Sequence, residues 1–375
     1  MANQDLTNAR NAKKDEFYTQ YYDIEREVEA YLDYNPNIFR DQTVLLPCDD
    51  PDWSNFTRYF AQNFERLGLK KLISTSYAIE SKQYKISLQK SIFEESSPQY
   101  DADKSKYHGK IYVLDSDKTG DGRIDLDDLQ WEYLDGDGDF RSDEVRKLRD
   151  EADIIVTNPP FSLFREFFLW IMEAGKKFLI IGNMNAVTYK EIFPYIKDNC
   201  VWYGESIHSG DREFAIPDEY PIEASGWRVD DKGKKYIRVK GVRWYTNLDH
   251  GRRHKPMELM TMQDNLKYSK HIKNDKWKFA YFHYDNYDAI EIPFSDAIPS
   301  DYNDVMGVPI SFLDFYCPEQ FEILWITQRN DDPYKMKKYT KSDYANANDL
   351  NARSVIIMDG IPQPMYPRIL IRRRK

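Results

Sequence analysis

The chain has 375 residues, of which 31% are charged and 41% hydrophobic, and a formal net charge of −10. That length can bury one large core or two modest ones, so a main domain with an appended region is expected. No apolar run approaches the roughly 18 residues that span a bilayer, and residues 1–10 lack the apolar centre of a secretory signal. Cys48, Cys200 and Cys317 are odd in number and far apart, which disfavours a disulfide framework or zinc site and fits a reducing cytoplasm without membrane attachment.

The acidity is unevenly spread. Residues 101–153 hold 17 Asp and Glu against 9 Lys and Arg, so −8 of the total −10 falls there. Basic clusters come later: Arg252-Arg253-His254-Lys255, then Lys335, Lys337, Lys338 and Lys341, then Arg372-Arg373-Arg374-Lys375. A negative total therefore does not exclude nucleic acid, because phosphate contact needs only a local basic face. For any single cluster a solvated surface is the alternative.

In chain order, residues 23–34 place Ile24, Val28, Tyr31 and Leu32 on one helical face. Thr43-Val44-Leu45-Leu46 is the first buried strand, the amphipathic stretch 54–67 follows, and Leu72-Ile73-Ser74-Thr75 is the second. Ile111-Tyr112-Val113-Leu114 reads as a strand of an acidic insertion at 101–150, Ile154-Ile155-Val156 as a buried strand and 162–174 as a helix. Phe178-Leu179-Ile180-Ile181 and Cys200-Val201-Trp202-Tyr203 are further strands. Continuous β-branched runs alternating with helices predict an α/β fold with a mostly parallel sheet, whose ligands bind at the carboxyl ends of strands. After about residue 204 the rhythm gives way to Tyr, Trp and basic residues. Residues 1–203 are thus expected to form the catalytic domain and 204–375 a recognition region, of which 305–328 is apolar enough to pack back on the first domain.

The chemistry centres on Asn158-Pro159-Pro160-Phe161, directly after the strand at 154–156. The Asn side-chain oxygen and the carbonyl of the first proline can accept both hydrogens of a planar amine, freeing its lone pair for an electrophile. Two prolines stiffen the loop and remove two donors, and Phe161 offers a face on which a base can stack. Three other segments suit the same pocket. Asp15-Glu16-Phe17-Tyr18-Thr19 pairs aromatics with a hydroxyl and carboxylates, and Cys48-Asp49-Asp50 ends the first strand with carboxylates for an ammonium group. In Gly136-Asp137-Gly138-Asp139-Phe140, Asp139 can accept from an amine and Phe140 can stack on a ring. Each alone also reads as an ordinary turn or helix cap.

Taken together, Asp15-Glu16-Phe17-Tyr18-Thr19-Gln20, Cys48-Asp49-Asp50-Pro51, Gly138-Asp139-Phe140-Arg141-Ser142 and Thr157-Asn158-Pro159-Pro160-Phe161-Ser162 make the chain resemble the EcoRI-type DNA adenine methyltransferases over most of its length. Gly307-Val308-Pro309-Ile310-Ser311-Phe312-Leu313 and Pro318-Glu319-Gln320-Phe321-Glu322-Ile323 add to the likeness. The resemblance implies a Rossmann-like methyltransferase sheet, S-adenosylmethionine as cofactor, and methylation of adenine's exocyclic amine in double-stranded DNA after base flipping. It places Phe17, Tyr18 and Thr19 near the cofactor's methionine part, Cys48, Asp49 and Asp50 near its charged end, and Asp139 and Phe140 near its adenine. Asn158, Pro159, Pro160 and Phe161 would form the catalytic loop, and Arg252 and Arg253 are candidate DNA contacts. A cognate restriction endonuclease acting separately is a possible partner. The motif order is that of the gamma group of amino-methyltransferases. Two departures stand out: the first-strand turn has no glycine-rich sequence, and Ser74-Thr75-Ser76-Tyr77 offers no acid for the ribose hydroxyls.

Two other readings remain open at this level. Residues 117–128 match much of a calcium loop, with Asp at positions 1, 5, 9 and 12 and Gly at 6, although Thr119 and Asp128 are poor ligands at positions 3 and 12. Within enzymes, the same proline loop suits cytosine, a guanine amine in RNA or a protein glutamine.

Overall fold

The computed structural model describes residues 18–47, 49–50, 54–78, 97–208, 211–216, 226–272, 280–328, 332–342, 344 and 346–374. They divide into two compact units, one running to Asn183 and resuming over Gly204–His250, the other comprising Met184–Tyr203 and the chain from Gly251 onward. No helix among the described residues is long and apolar enough to cross a membrane.

In the first unit, helix α1 (Tyr21–Tyr34) buries Ile24, Val28 and Tyr31 at the spacing that puts them on one face. It is followed by β1 (Thr43–Leu46), α2 (Asn55–Gln62), β2 (Lys71–Ser76), β3 (Lys110–Leu114), β4 (Gln130–Tyr133) and α3 (Asp143–Glu151). Then come β5 (Ile154–Thr157), α4 (Phe164–Glu173) and β6 (Lys177–Asn183). After the return to this unit, β7 (Asp211–Ile216), β8 (Trp227–Val229), β9 (Lys235–Lys240) and β10 (Val242–Thr246) complete it. The large sheet runs β4-β3-β2-β1-β5-β6-β10 within this unit. Its centre is parallel, β2 with β1, β1 with β5 and β5 with β6. Both flanks are antiparallel.

Every residue of β1 and of β5 is buried, as strands covered on both faces must be. The amphipathic stretch 54–67 is not one helix: α2 ends at Gln62 with Asn63 as its cap, and a single helical turn, Phe64–Leu67, closes on Gly68 in the left-handed conformation, φ 64°. The expected boundary at 203 differs from the observed division. Val242–Thr246 pairs along the whole of its length with β6, so residues 204–250 return to the unit that carries the large sheet. A small antiparallel sheet, β7-β9-β8, also belongs there.

One core charge was not anticipated. Glu27 of α1 is fully buried, accepting from Tyr31 Oη at 2.9 Å and from the amides of Glu205 at 2.8 Å and Ser206 at 2.6 Å. Gly204 allows this approach, since a Cβ there would lie 2.1 Å from the Glu27 carboxylate.

The second unit has its own four-stranded sheet, ordered Ile290–Glu291, Met306–Pro309, Arg368–Arg373, Phe321–Ile326. The apolar segment 305–328 supplies two of those strands, and Met306, Val308, Phe321 and Ile326 are buried. A buried ion pair braces the sheet: Arg368 reaches Glu291 at 2.6 Å, and Tyr284 Oη donates to the same carboxylate.

Candidate active site

Two loops leave the carboxyl ends of the adjacent parallel strands β1 and β5, and a third, which follows β4, crosses the end of β2. After β1, the backbone turns through Pro47 to Asp49 and Asp50, and Ser54 then caps α2 by accepting from the Phe56 amide at 3.1 Å. After β5 comes Asn158-Pro159-Pro160-Phe161. After β4, residues 136–140 cross the carboxyl end of β2: the Ala78 amide donates to the Asp137 carbonyl at 2.8 Å, and the Gly109 amide to that of Gly136 at 2.9 Å. Gly138 has φ 86°, and a Cβ there would sit 2.4 Å from the Ser76 carbonyl oxygen, so only glycine lets the loop lie this close.

Asp49 is buried and joins these elements. Its Oδ1 accepts from Ser54 Oγ at 2.7 Å, and its Oδ2 lies 2.6 Å from Thr157 Oγ1. Its carbonyl accepts from Thr57 Oγ1 at 3.1 Å and from Ser74 Oγ. Burial pushes the Asp49 carboxyl up to about 7 against the hydroxyl bonds of Thr157 and Ser54, with the neighbouring Asp50 charge adding to the rise. Asp50 beside it is half-buried. Asp49 thus ties the β1 turn, α2 and β5 together through one side chain.

The segment before α1 meets this cluster. Tyr18 pairs with Ala215 in both directions, at 2.9 and 3.0 Å, and the Thr19 carbonyl accepts from Asn55 Nδ2 at 2.7 Å. The Thr19 hydroxyl and the Gln20 side-chain nitrogen are buried with no hydrogen-bond partner among the described residues. Buried polar atoms left open in this way cost free energy unless a ligand satisfies them, so the two fit a bound polar molecule. Phe17 and Cys48 lie outside the described residues.

Asp139 accepts from Arg141 at 2.9 Å (Nε), 2.6 Å (Nη2) and 2.8 Å (backbone amide). Burial acts to raise its pKa, but the bonds and charge of Arg141 outweigh it, so the carboxyl stays below the ordinary range and ionised. Arg141 also reaches Glu166 in the first turn of α4, at 3.4 Å. Phe140 departs from the expected stacking role. It is 1% exposed, and its ring packs edge-on against Phe167 and Trp170 at 5.1 and 5.6 Å, inside the core. In the proline loop the Pro160 carbonyl accepts from the Leu163 amide at 2.9 Å, which turns the chain into α4. Phe161 is half-buried and meets Phe214 edge-on at 6.4 Å.

The arginine pair in the second unit is also not as expected. Arg253 is buried, with its guanidinium 3.6 Å from the Trp202 ring centre and donating to Asn199 Oδ1. Arg252 Nε donates to the Asp314 carbonyl at 3.2 Å. The C-terminal basic run is engaged as well: Arg372 pairs with Glu322 at 2.5 Å, and Arg374 Nε donates to the Pro318 carbonyl at 2.7 Å. Lys338 and Lys341 are exposed, and Lys335, Lys338, Asn348 and Asn351 line a cleft.

In the 117–128 loop the carboxylates turn inward. Asp117 accepts from the Gly120 and Gly122 amides, and Asp128 from those of Lys118, Thr119 and Asp125. Among the described residues no three metal-ligating side chains converge.

Thr157, Asn55 and Gln20 are the site residues that sequence reasoning passed over. Thr157 and Gln20 stand inside quoted motifs without a role assigned to them, and the helix start at 54–55 was itself visible.

A mixed sheet with its polar loops at the carboxyl edge, one of them an Asn-Pro-Pro-Phe loop, defines the amine-directed methyltransferase class. The family profile described as adenine-specific methyltransferase EcoRI matches residues 5–374. Similar proteins include the Type II methyltransferase M.EcoRI of Escherichia coli, 41% identical over 86% of this chain and 89% of the relative. M.MgeORF184P of Mycoplasma genitalium is 33% identical over 84% of each chain, and M.MpnI of Mycoplasma pneumoniae 30% identical over 98% of this chain and 97% of its own. No solved structure matches the chain. The chain belongs to the EcoRI family of adenine-specific methyltransferases, and its activity is site-specific methylation of adenine in DNA.

Proposed function

We propose that the chain takes the methyl group from S-adenosylmethionine and that the acceptor is the exocyclic amine of an adenine turned out of duplex DNA, held by Asn158, Pro159 and Phe161. The observation that carries this reading is the loop 158–161 at the carboxyl end of β5, beside the β1 turn with its buried Asp49. Adenine's amine is a weak nucleophile because its lone pair is delocalised into the ring. Asn158 Oδ1 and the Pro159 carbonyl accept its two hydrogens, draw the nitrogen out of conjugation and aim the lone pair away from the ring. The Pro160 carbonyl, already bonded to Leu163, keeps the loop in shape for this. When bound, S-adenosylmethionine supplies an electrophilic methyl on a sulfonium. Thr19 and Gln20, with their open polar atoms, and the carboxylates of Asp50 and Asp139 are the groups that would hold it.

The second unit supplies target recognition on this reading, and the enzyme protects its sites from a cognate restriction endonuclease acting separately. With Arg253 buried, exposed Lys338 and Lys341 are better placed to meet phosphates.

The direct test is mass detection of methylated adenine in DNA incubated with the protein and labelled cofactor; DNA carrying label on cytosine or none at all would sink the proposal. Two variants test the roles. Phe161→Ala should weaken capture of the extruded base by roughly 1–3 kcal/mol. Fluorescence of 2-aminopurine at the target position reads this, and equal signals for the two proteins remove Phe161 from the stacking role. Asp139→Ala should raise the cofactor Kd about tenfold, as a buried adenine amine loses its acceptor. Unchanged calorimetric affinity places Asp139 outside the pocket.

A further inference from the structure

Thr157 carries one hydroxyl proton and faces two acceptors. Its Oγ1 lies 3.0 Å from the Pro47 carbonyl oxygen and 2.6 Å from Asp49 Oδ2. A carbonyl can only accept, and so can an ionised carboxylate. If Asp49 is ionised, one of these two short contacts joins lone pair to lone pair within a buried site. Asp49's other oxygen gives no relief, because Ser54 Oγ already donates to it at 2.7 Å while accepting from the Phe56 amide. Among the described contacts one proton arrangement satisfies each of these atoms: Asp49 Oδ2–H donates to Thr157, and Thr157 donates onward to Pro47.

We propose that Asp49 acts as a neutral carboxylic acid whose proton fixes Thr157, and with it the strand end from which Asn158 projects. It is a positioning residue and not a charged ligand of the cofactor. This rests on the reading of Asn158 as the acceptor for the target amine. Asp49 is 7% exposed, too buried for an isolated charge to be stable there without a cation. The described groups facing it are hydroxyls, Ser54 and Thr57 from α2, Ser74 from β2 and Thr157 from β5, together with the next carboxylate, Asp50, which also opposes ionisation. The raised carboxyl pKa of about 7 agrees with the proton count. The chain's departure from a glycine-rich first turn is explained in the same way. A turn locked by an acid, four hydroxyls and a carbonyl has no need of backbone freedom.

The sign of the pH effect follows. A carboxyl held above its unfolded pKa of about 3.9 gives the folded state an extra proton in between, so stability falls as pH rises from about 4 to about 7 and is level beyond. Methyl transfer should fall as pH rises through about 7, where Asp49 gives up the proton it donates to Thr157.

The experiment compares wild type, Asp49→Ala, Asp49→Asn and Thr157→Val in the full chain. Turnover, calorimetric affinity for S-adenosylmethionine and thermal unfolding are each followed from about pH 5 to pH 9. Asp49→Ala and Thr157→Val should lose about tenfold or more in turnover with little change in cofactor affinity. Asp49→Asn keeps a donor toward Thr157 and an acceptor toward Ser54. It should recover most of what Asp49→Ala loses, and both its turnover and its melting temperature should lack the limb through neutral pH. A tenfold loss of cofactor affinity in Asp49→Asn makes the carboxylate a ligand and overturns the proposal. So does a limb through neutral pH identical to that of wild type. Asn158→Ala, run alongside, separates the underlying reading: if that variant stays active the role of Asn158 fails, while the melting curves still report whether Asp49 carries its proton.

Discussion

Asn158→Ala should reduce methyl transfer by roughly 10²–10³-fold or more while leaving affinity for S-adenosylmethionine within about twofold of wild type. The side chain sits on a loop that is anchored on both sides. Thr157 on one side is tied to Pro47 and Asp49, and Pro160 on the other is tied to Leu163. Alanine at 158 takes away an acceptor without touching either tie, so the loop should persist and the loss should appear in turnover. The reason for so large an effect is that the amine needs both hydrogens accepted at once. With only the Pro159 carbonyl left, the nitrogen stays conjugated with the ring through the step in which it must be nucleophilic. Single-turnover rates with excess enzyme separate this from a change in product release. A variant that keeps a tenth of wild-type rate would show that the acceptor lies elsewhere.

Strands were readable from sequence where burial on both faces produces an unbroken apolar run, as in β1, β5 and β6. There composition and length leave little choice, and the carboxyl-edge position of the proline loop followed. Val242–Thr246 was read as part of a recognition surface because it mixes Trp, Tyr and Arg. All five of its residues are buried, and Arg243 survives there by donating to the Val242 and His208 carbonyls at 2.7 and 2.6 Å. Aromatic and basic residues describe an exposed nucleic-acid face and a lined core strand equally well, and only pairing with β6 separates the two. The same limit applies to Glu27 and Asp49. A buried acid depends on partners that arrive from elsewhere in the chain, the Glu205 and Ser206 amides for the first and the Thr157 hydroxyl for the second. No local pattern announces them. Phe140 shows the reverse case. Its neighbours in sequence suggested a pocket, but Phe167 and Trp170, one turn apart on α4, enclose its ring.

Arg253→Ala should lower the unfolding free energy by about 2–4 kcal/mol and leave the salt dependence of DNA binding parallel to that of wild type. Neither a phosphate contact nor a solvated surface describes this residue. Its guanidinium lies 3.6 Å from the Trp202 ring centre, where desolvation makes the cation–ring attraction strong, and it donates to Asn199 Oδ1. Asn199 occupies the left-handed region at φ 58°, and Arg253 is the group that holds its side chain in the turn. Removing the arginine therefore takes away a stacked cation and a charged hydrogen bond together, and leaves an open amide oxygen. Arg252→Ala loses a longer bond to the Asp314 carbonyl and a ring contact with Phe315 at 5.4 Å, and should cost no more than about 1 kcal/mol. Denaturant melts of both variants give the stability difference, and binding isotherms on one duplex at several salt concentrations give the slopes. If Arg253→Ala melted like wild type but its slope flattened by about one unit, the guanidinium would be reaching a phosphate and the stack on Trp202 would not be its working position.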